Sequence, residues 1–111
     1  MTKVYYFKSE DQHELYIYGH AGYDEEGKDI VCSAVSSIGY ALLGFLENEA
    51  DDTSEYAYFT ESGKLVVSAN ASASVDAAFK MAVIGLRQIA KQYPDHVRVS
   101  LTPHKADDLG E

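Results

Sequence analysis

The sequence predicts a two-layer α+β domain in which two helices pack on a largely antiparallel sheet, with elements in the order ββαββαβ. Three observations lead there. Short alternating or β-branched and aromatic segments come in pairs, two longer segments carry apolar residues at helical spacing, and polar or Gly-containing turns separate them.

Lys3 to Lys8 (KVYYFK) reads as the first strand and Glu14 to His20 (ELYIYGH) as the second, with the polar stretch Ser9 to His13 as their turn. A loop from Ala21 to Lys28 follows. Asp29 then stands directly before an apolar-periodic run, where its carboxylate can accept a free backbone N–H and cap a helix. Val31, Val35, Ile38, Leu42 and Phe45 mark one face of that helix, which ends near Glu49 before an Asp51-Asp52 turn. Glu55 to Thr60 and Lys64 to Ala69 form a second strand pair joined by Glu61-Ser62-Gly63. Ser74 caps the second helix, with Asp76 in its first turn and Val75, Phe79, Ala82, Leu86, Ile89 and Tyr93 on its buried face. Pro94 stops it. Val97, Val99 and Leu101 alternate with Arg98 and Ser100 as the last strand.

The 111 residues fit a single domain over 1–111, without repeats, linkers or low-complexity stretches. Nine basic against 18 acidic residues give a net charge of −9, which argues against a phosphate-neutralising nucleic-acid surface and suits a basic protein partner. One cysteine allows no internal disulfide. The N-terminal stretch lacks a signal-peptide apolar region and no apolar run approaches a membrane span, so a reduced cytoplasmic setting without membrane contact is expected. His13, His96 and His104 have no metal-ligand spacing and are expected in turns or near the tail without a role; no phosphate loop, dinucleotide fingerprint or zinc-type cluster occurs, so neither metal nor cofactor is expected. Both helices extend their apolar or small residues past one stripe, at Tyr40, Leu43 and Gly44 and at Met81, Ile84 and Gly85, which predicts a two-fold dimer.

The lone cysteine carries the functional question. With Asp29 as cap, Cys32 is the third residue of the helix, near unpaired N–H donors and the positive end of the helix dipole, which favour the nucleophilic thiolate. His20, beside Gly19 at the end of a strand, is the natural general base. Asp29 could orient His20, although capping accounts for it. Ser36 lies one turn beyond Cys32 on the same face. Asp24, Glu25 and Glu26 read as a solvated run or as a substrate-attracting one.

The string Gly19-His20-Ala21-Gly22, a short acidic loop, then Gly27-Lys28-Asp29-Ile30-Val31-Cys32-Ser33-Ala34-Val35-Ser36 resembles the ribosomal-processing cysteine protease family, Prp. The resemblance implies a homodimeric cysteine endopeptidase that removes the N-terminal extension of large-subunit ribosomal protein 27. The family's nucleophile then falls on Cys32 and its histidine on His20, with backbone N–H groups around Cys32 as oxyanion donors. The loop with Gly22, Asp24, Glu25, Glu26 and Gly27 becomes a flexible lid. A non-catalytic dimeric module that binds a ribosomal protein is the competing reading; it predicts that Cys32→Ala leaves function intact. A thiol redox sensor, needing an accessible cysteine but no essential histidine, is a second.

Overall fold

In the computed structural model, which describes residues 1–25, 27–49 and 55–102, β1 (Thr2–Lys8) and β2 (Gln12–Tyr18) form the first hairpin. Next come α1 (Ile30–Asn48), the second hairpin of β3 (Tyr56–Glu61) and β4 (Lys64–Asn70), α2 (Ala73–Gln92) and β5 (Val97–Thr102), so the ββαββαβ order holds. The sheet order is β3-β4-β2-β1-β5. Three pairings are antiparallel and β1–β5 is parallel, which makes the sheet mixed.

Register decides which side is wet. Val4 lies opposite Ile17, Leu15 opposite Val67 and Ile17 opposite Leu65, so these side chains share one face. They form a single core with Val31, Val35 and Leu42 of α1 and Val75, Phe79 and Leu86 of α2. α1 comes down close to the sheet at Gly39: a Cβ there would stand 2.6 Å from Leu65 Cδ2 and 3.0 Å from Ile17 Cδ1. Leu43, expected on a second-partner surface, is a core residue at 6% exposure; Tyr40, Met81 and Ile84 do face out.

Two further expectations are corrected. Ser72, not Ser74, caps α2: it is extended, and its Oγ accepts the Val75 N–H at 3.3 Å. β2 starts at Gln12, so His13 is a strand residue in phase with Leu15 and Ile17, and it points inward at 1% exposure. A polar residue on that phase hides the alternation from sequence. His13 stacks on Phe79 (centroids 4.7 Å apart) and Tyr6 (5.9 Å). The neutral tautomer with Nε2–H satisfies all three polar groups: the Tyr6 hydroxyl donates to Nδ1 at 2.5 Å and Nε2–H donates to Asp76 Oδ1 at 2.6 Å. Burial, then the Asp76 charge, pushes the Tyr6 phenol up. The His13 hydrogen bond holds the Asp76 carboxyl below the usual carboxylate range against desolvation.

α1 is long and apolar enough to cross a membrane by length and composition, with mean hydropathy 1.6, contrary to the expectation that no run reaches that length. Its buried stripe packs into the core. The Asp51-Asp52 turn, Glu26 and His104 lie outside the described residues.

Candidate active site

β2 ends at Tyr18, two residues before His20, which therefore stands beyond the strand and not at its last position. Gly19 makes the exit: it takes φ 85°, and a Cβ there would lie 2.6 Å from the Met1 carbonyl oxygen. Its N–H donates to the Gly63 carbonyl at 2.7 Å, tying the end of β2 to the β3–β4 turn. Ala21 is buried and its carbonyl accepts the His96 Nδ1–H at 3.0 Å, so His96, expected to have no role, fastens the start of the loop. The Tyr23 ring sits edge-on to Tyr93 and His96, each with centroids 5.4 Å away.

Asp29 closes this loop onto α1. Its Oδ1 accepts the Cys32 N–H at 2.9 Å, and its Oδ2 accepts the N–H groups of Tyr23 at 2.9 Å and Asp24 at 3.3 Å. Burial pushes its carboxyl up, but the backbone donors of Cys32, Tyr23, Asp24 and Val31 outweigh burial and leave it below the usual carboxylate range. A depressed carboxyl adds stability that is full above its unfolded-state value and lost as pH falls through the folded one. Stability should therefore drop below about pH 4 in the wild type. In Asp29→Asn, which keeps an acceptor but no charge, the drop should be shallower. Urea unfolding across that window checks this; parallel profiles would remove Asp29 as the source.

Two of the N–H groups around Cys32 are engaged within the cap itself. The Cys32 N–H serves the Asp29 cap and the Ser33 N–H bonds the Asp29 carbonyl at 3.0 Å. These first-turn donors are occupied, so neither faces an incoming carbonyl.

Cys32 Sγ and His20 Nδ1 are 4.0 Å apart. Cys32 is half-buried and His20 is exposed. A cavity of about 220 Å³ opens beside them, lined in part by Ser36, Tyr40, Gly63 and Lys64. Ser36 thus shares the cavity with the pair. Tyr40 hydrogen-bonds Thr60 Oγ1 at 2.7 Å, linking α1 to β3 at the rim. Asp29 does not orient His20 among the described residues, since its oxygens are engaged with backbone amides. Of the lid residues, Gly22 and Gly27 take positive φ, Asp24 Oδ1 accepts the Glu25 N–H at 2.7 Å, and Glu25 reaches Lys28 at 3.8 Å on the surface. Tyr40 and the β3–β4 turn are parts of the site that sequence spacing misses, because β4 pairs with β2 across a long separation.

A larger groove of about 550 Å³ runs between α1 and α2, but it is apolar, lined by residues such as Ile38, Phe45 and Met81, and holds no cysteine, histidine or carboxylate. The smaller cavity is the one that holds the cysteine. Among the described residues no cluster of three His, Cys, Asp or Glu side chains could hold a metal.

The sequence model of the family described as Cysteine protease Prp matches residues 1–98. The ribosomal processing cysteine protease Prp of Mycoplasma genitalium is 34% identical over 94 residues, covering 80% of this chain and 88% of that protein. The fold matches the essential ribosomal processing protease Prp of S. aureus, crystallised with a covalently linked product peptide. The TM-score is 0.78 at 18% identity, over 92% of this chain and 100% of that one. SMU.848 of Streptococcus mutans superposes with TM-score 0.68 at 26% identity, over 92% and 94% of the two chains.

Proposed function

Because the chain belongs to the cysteine protease Prp family, we propose that it removes the N-terminal extension of large-subunit ribosomal protein 27 in the cytoplasm, with Cys32 as nucleophile and His20 as its acid–base partner. The chain is a cysteine protease by that membership. The observation that carries the assignment of residues is the 4.0 Å approach of Cys32 Sγ to His20 Nδ1 at the mouth of a cavity. A distance of this length in a free site tightens when substrate arrives. The S. aureus relative holds a covalently linked product peptide, in line with a nucleophilic mechanism here.

In the proposed reaction His20 takes the thiol proton and the Cys32 thiolate attacks the scissile carbonyl carbon, forming a C–S bond. The C–N bond then breaks, and the His20 imidazolium gives its proton to the departing amine, which is the new N-terminus of the mature protein. Water, deprotonated by His20, attacks the thioester. The C–S bond breaks, the proton that His20 took from water returns to Cys32, and the extension leaves as a carboxylic acid that ionises to solvent. Proteolysis balances as the addition of one water and needs no cofactor.

Mass spectrometry of the extended ribosomal protein after incubation tests this reading. Loss of the extension with wild type, but not with Cys32→Ala or His20→Ala, is the expected result. An intact substrate in all three would sink the substrate assignment.

Self-association is part of the proposal. The groove between α1 and α2 leaves Met81 74% exposed beside Ile38 and Phe45, an apolar surface that a second copy would cover. Light scattering should give about twice the 12.2 kDa of one chain; a monomer at micromolar concentration would overturn it.

A further inference from the structure

We propose that Gly63, in the turn between β3 and β4, is a positioning residue for His20: its missing side chain is the space that lets the imidazole stand against Cys32. The inference rests on the Cys32–His20 reading and deepens it.

Two contacts tie Gly63 to the histidine. The Gly63 carbonyl accepts the N–H of Gly19, the residue directly before His20, at 2.7 Å, so the turn fixes the backbone from which the imidazole projects. A Cβ on Gly63 would stand 3.0 Å from His20 Nε2, with Cδ2 at 3.5 Å and Cε1 at 3.6 Å. That contact falls on the ring face at its Nε2 corner, with Cδ2 and Cε1 close behind, while Nδ1 faces Cys32 Sγ at 4.0 Å. The imidazole therefore stands with Nδ1 toward the sulfur and with one face against a backbone that has no side chain. His20 is exposed, so a ring pressed at this corner is free to tilt toward solvent, and a tilt disturbs its approach to Cys32. Gly63 also lines the cavity in which the peptide would lie.

Gly63 takes φ 70°, so any L-residue there carries backbone strain as well as a Cβ. The two effects separate by choice of substituent. Alanine brings both; asparagine tolerates the left-handed region and brings the Cβ with less strain.

The experiment uses Cys32 as its own reporter, since it is the one cysteine in the chain. Iodoacetamide alkylation is followed against pH in wild type, His20→Ala, Gly63→Ala and Gly63→Asn, together with kcat, KM and the melting temperature. Both Gly63 variants should move the alkylation profile toward that of His20→Ala and lower kcat on the order of 10–100-fold with a smaller change in KM. Asn should recover most of the melting temperature lost by Ala without recovering kcat. Wild-type profiles in the Gly63 variants, or kcat recovered along with stability in Gly63→Asn, would overturn the positioning role. A His20→Ala profile identical to wild type is a different pattern: it would break the Cys32–His20 pair itself and the proposal with it.

Discussion

His20→Ala is expected to slow cleavage of the extended ribosomal protein by roughly 10²–10⁴-fold, the range that a positioned acid–base group supplies. The melting temperature should barely move. His20 is exposed, its hydrogen-bond partner among the described side chains is the Cys32 sulfur at 4.0 Å, and neither feature holds the core together. Cys32→Ala should lose the covalent route altogether, because no second thiol exists in the chain to replace it. Initial rates by mass spectrometry, set beside thermal melts, separate chemistry from folding. Wild-type turnover in His20→Ala would place the base elsewhere. A melting temperature that falls with the rate would mean that the histidine acts through structure.

Phe79→Ala should be the most damaging of the core substitutions, costing about 3–5 kcal/mol. Phe79 is wholly buried on α2. Its ring lies 4.7 Å from His13 and 6.2 Å from Tyr6, so truncation opens a cavity beneath the group that links β1, β2 and Asp76. A domain of this size is stable by about 5–15 kcal/mol, and the loss takes a large part of that. Phe79→Leu keeps most of the volume and should cost less. Urea unfolding gives both values; a loss below about 1 kcal/mol for alanine would mean that the site collapses around the gap.

The element order and the start of α1 are legible in the sequence because both rest on local signals. Asp29 before an apolar run caps the helix it should, and Cys32 stands three residues on. Register and partners are less legible. His13 looks like a turn residue because a histidine breaks the apolar alternation, although its inward position is made tolerable by Tyr6 and Asp76, the latter 63 positions away. Ser72 and Ser74 are equally good caps by type, and only the backbone at Ser72 decides between them. Leu43 reads as surface because one stripe suffices for a helix on a single sheet, whereas α1 lies against both the sheet and α2 and buries a wider arc. In the candidate site, Cys32, His20 and Asp29 can be named from spacing and resemblance. The β3–β4 hairpin is legible from its Gly-containing turn, but Gly63 and Tyr40 enter the site through pairing of β2 with β4, which no local pattern encodes.

The parallel pairing of β1 with β5 sets a condition on how the chain comes into being. β1 is synthesised before the other described strands, yet it lies inside the sheet, with β2 on one side and β5 on the other. Phe7 is in register with Thr102, so this neighbour is among the last described residues to leave the exit tunnel of a translating ribosome. A nascent chain holding β1 to α2 has an uncovered strand edge, the kind of surface that recruits stray strands. Closure of the sheet is thus a late event spanning nearly the whole chain, and long-range pairing of that kind slows folding. Acquisition of activity should follow the emergence of β5 rather than that of Cys32 and His20.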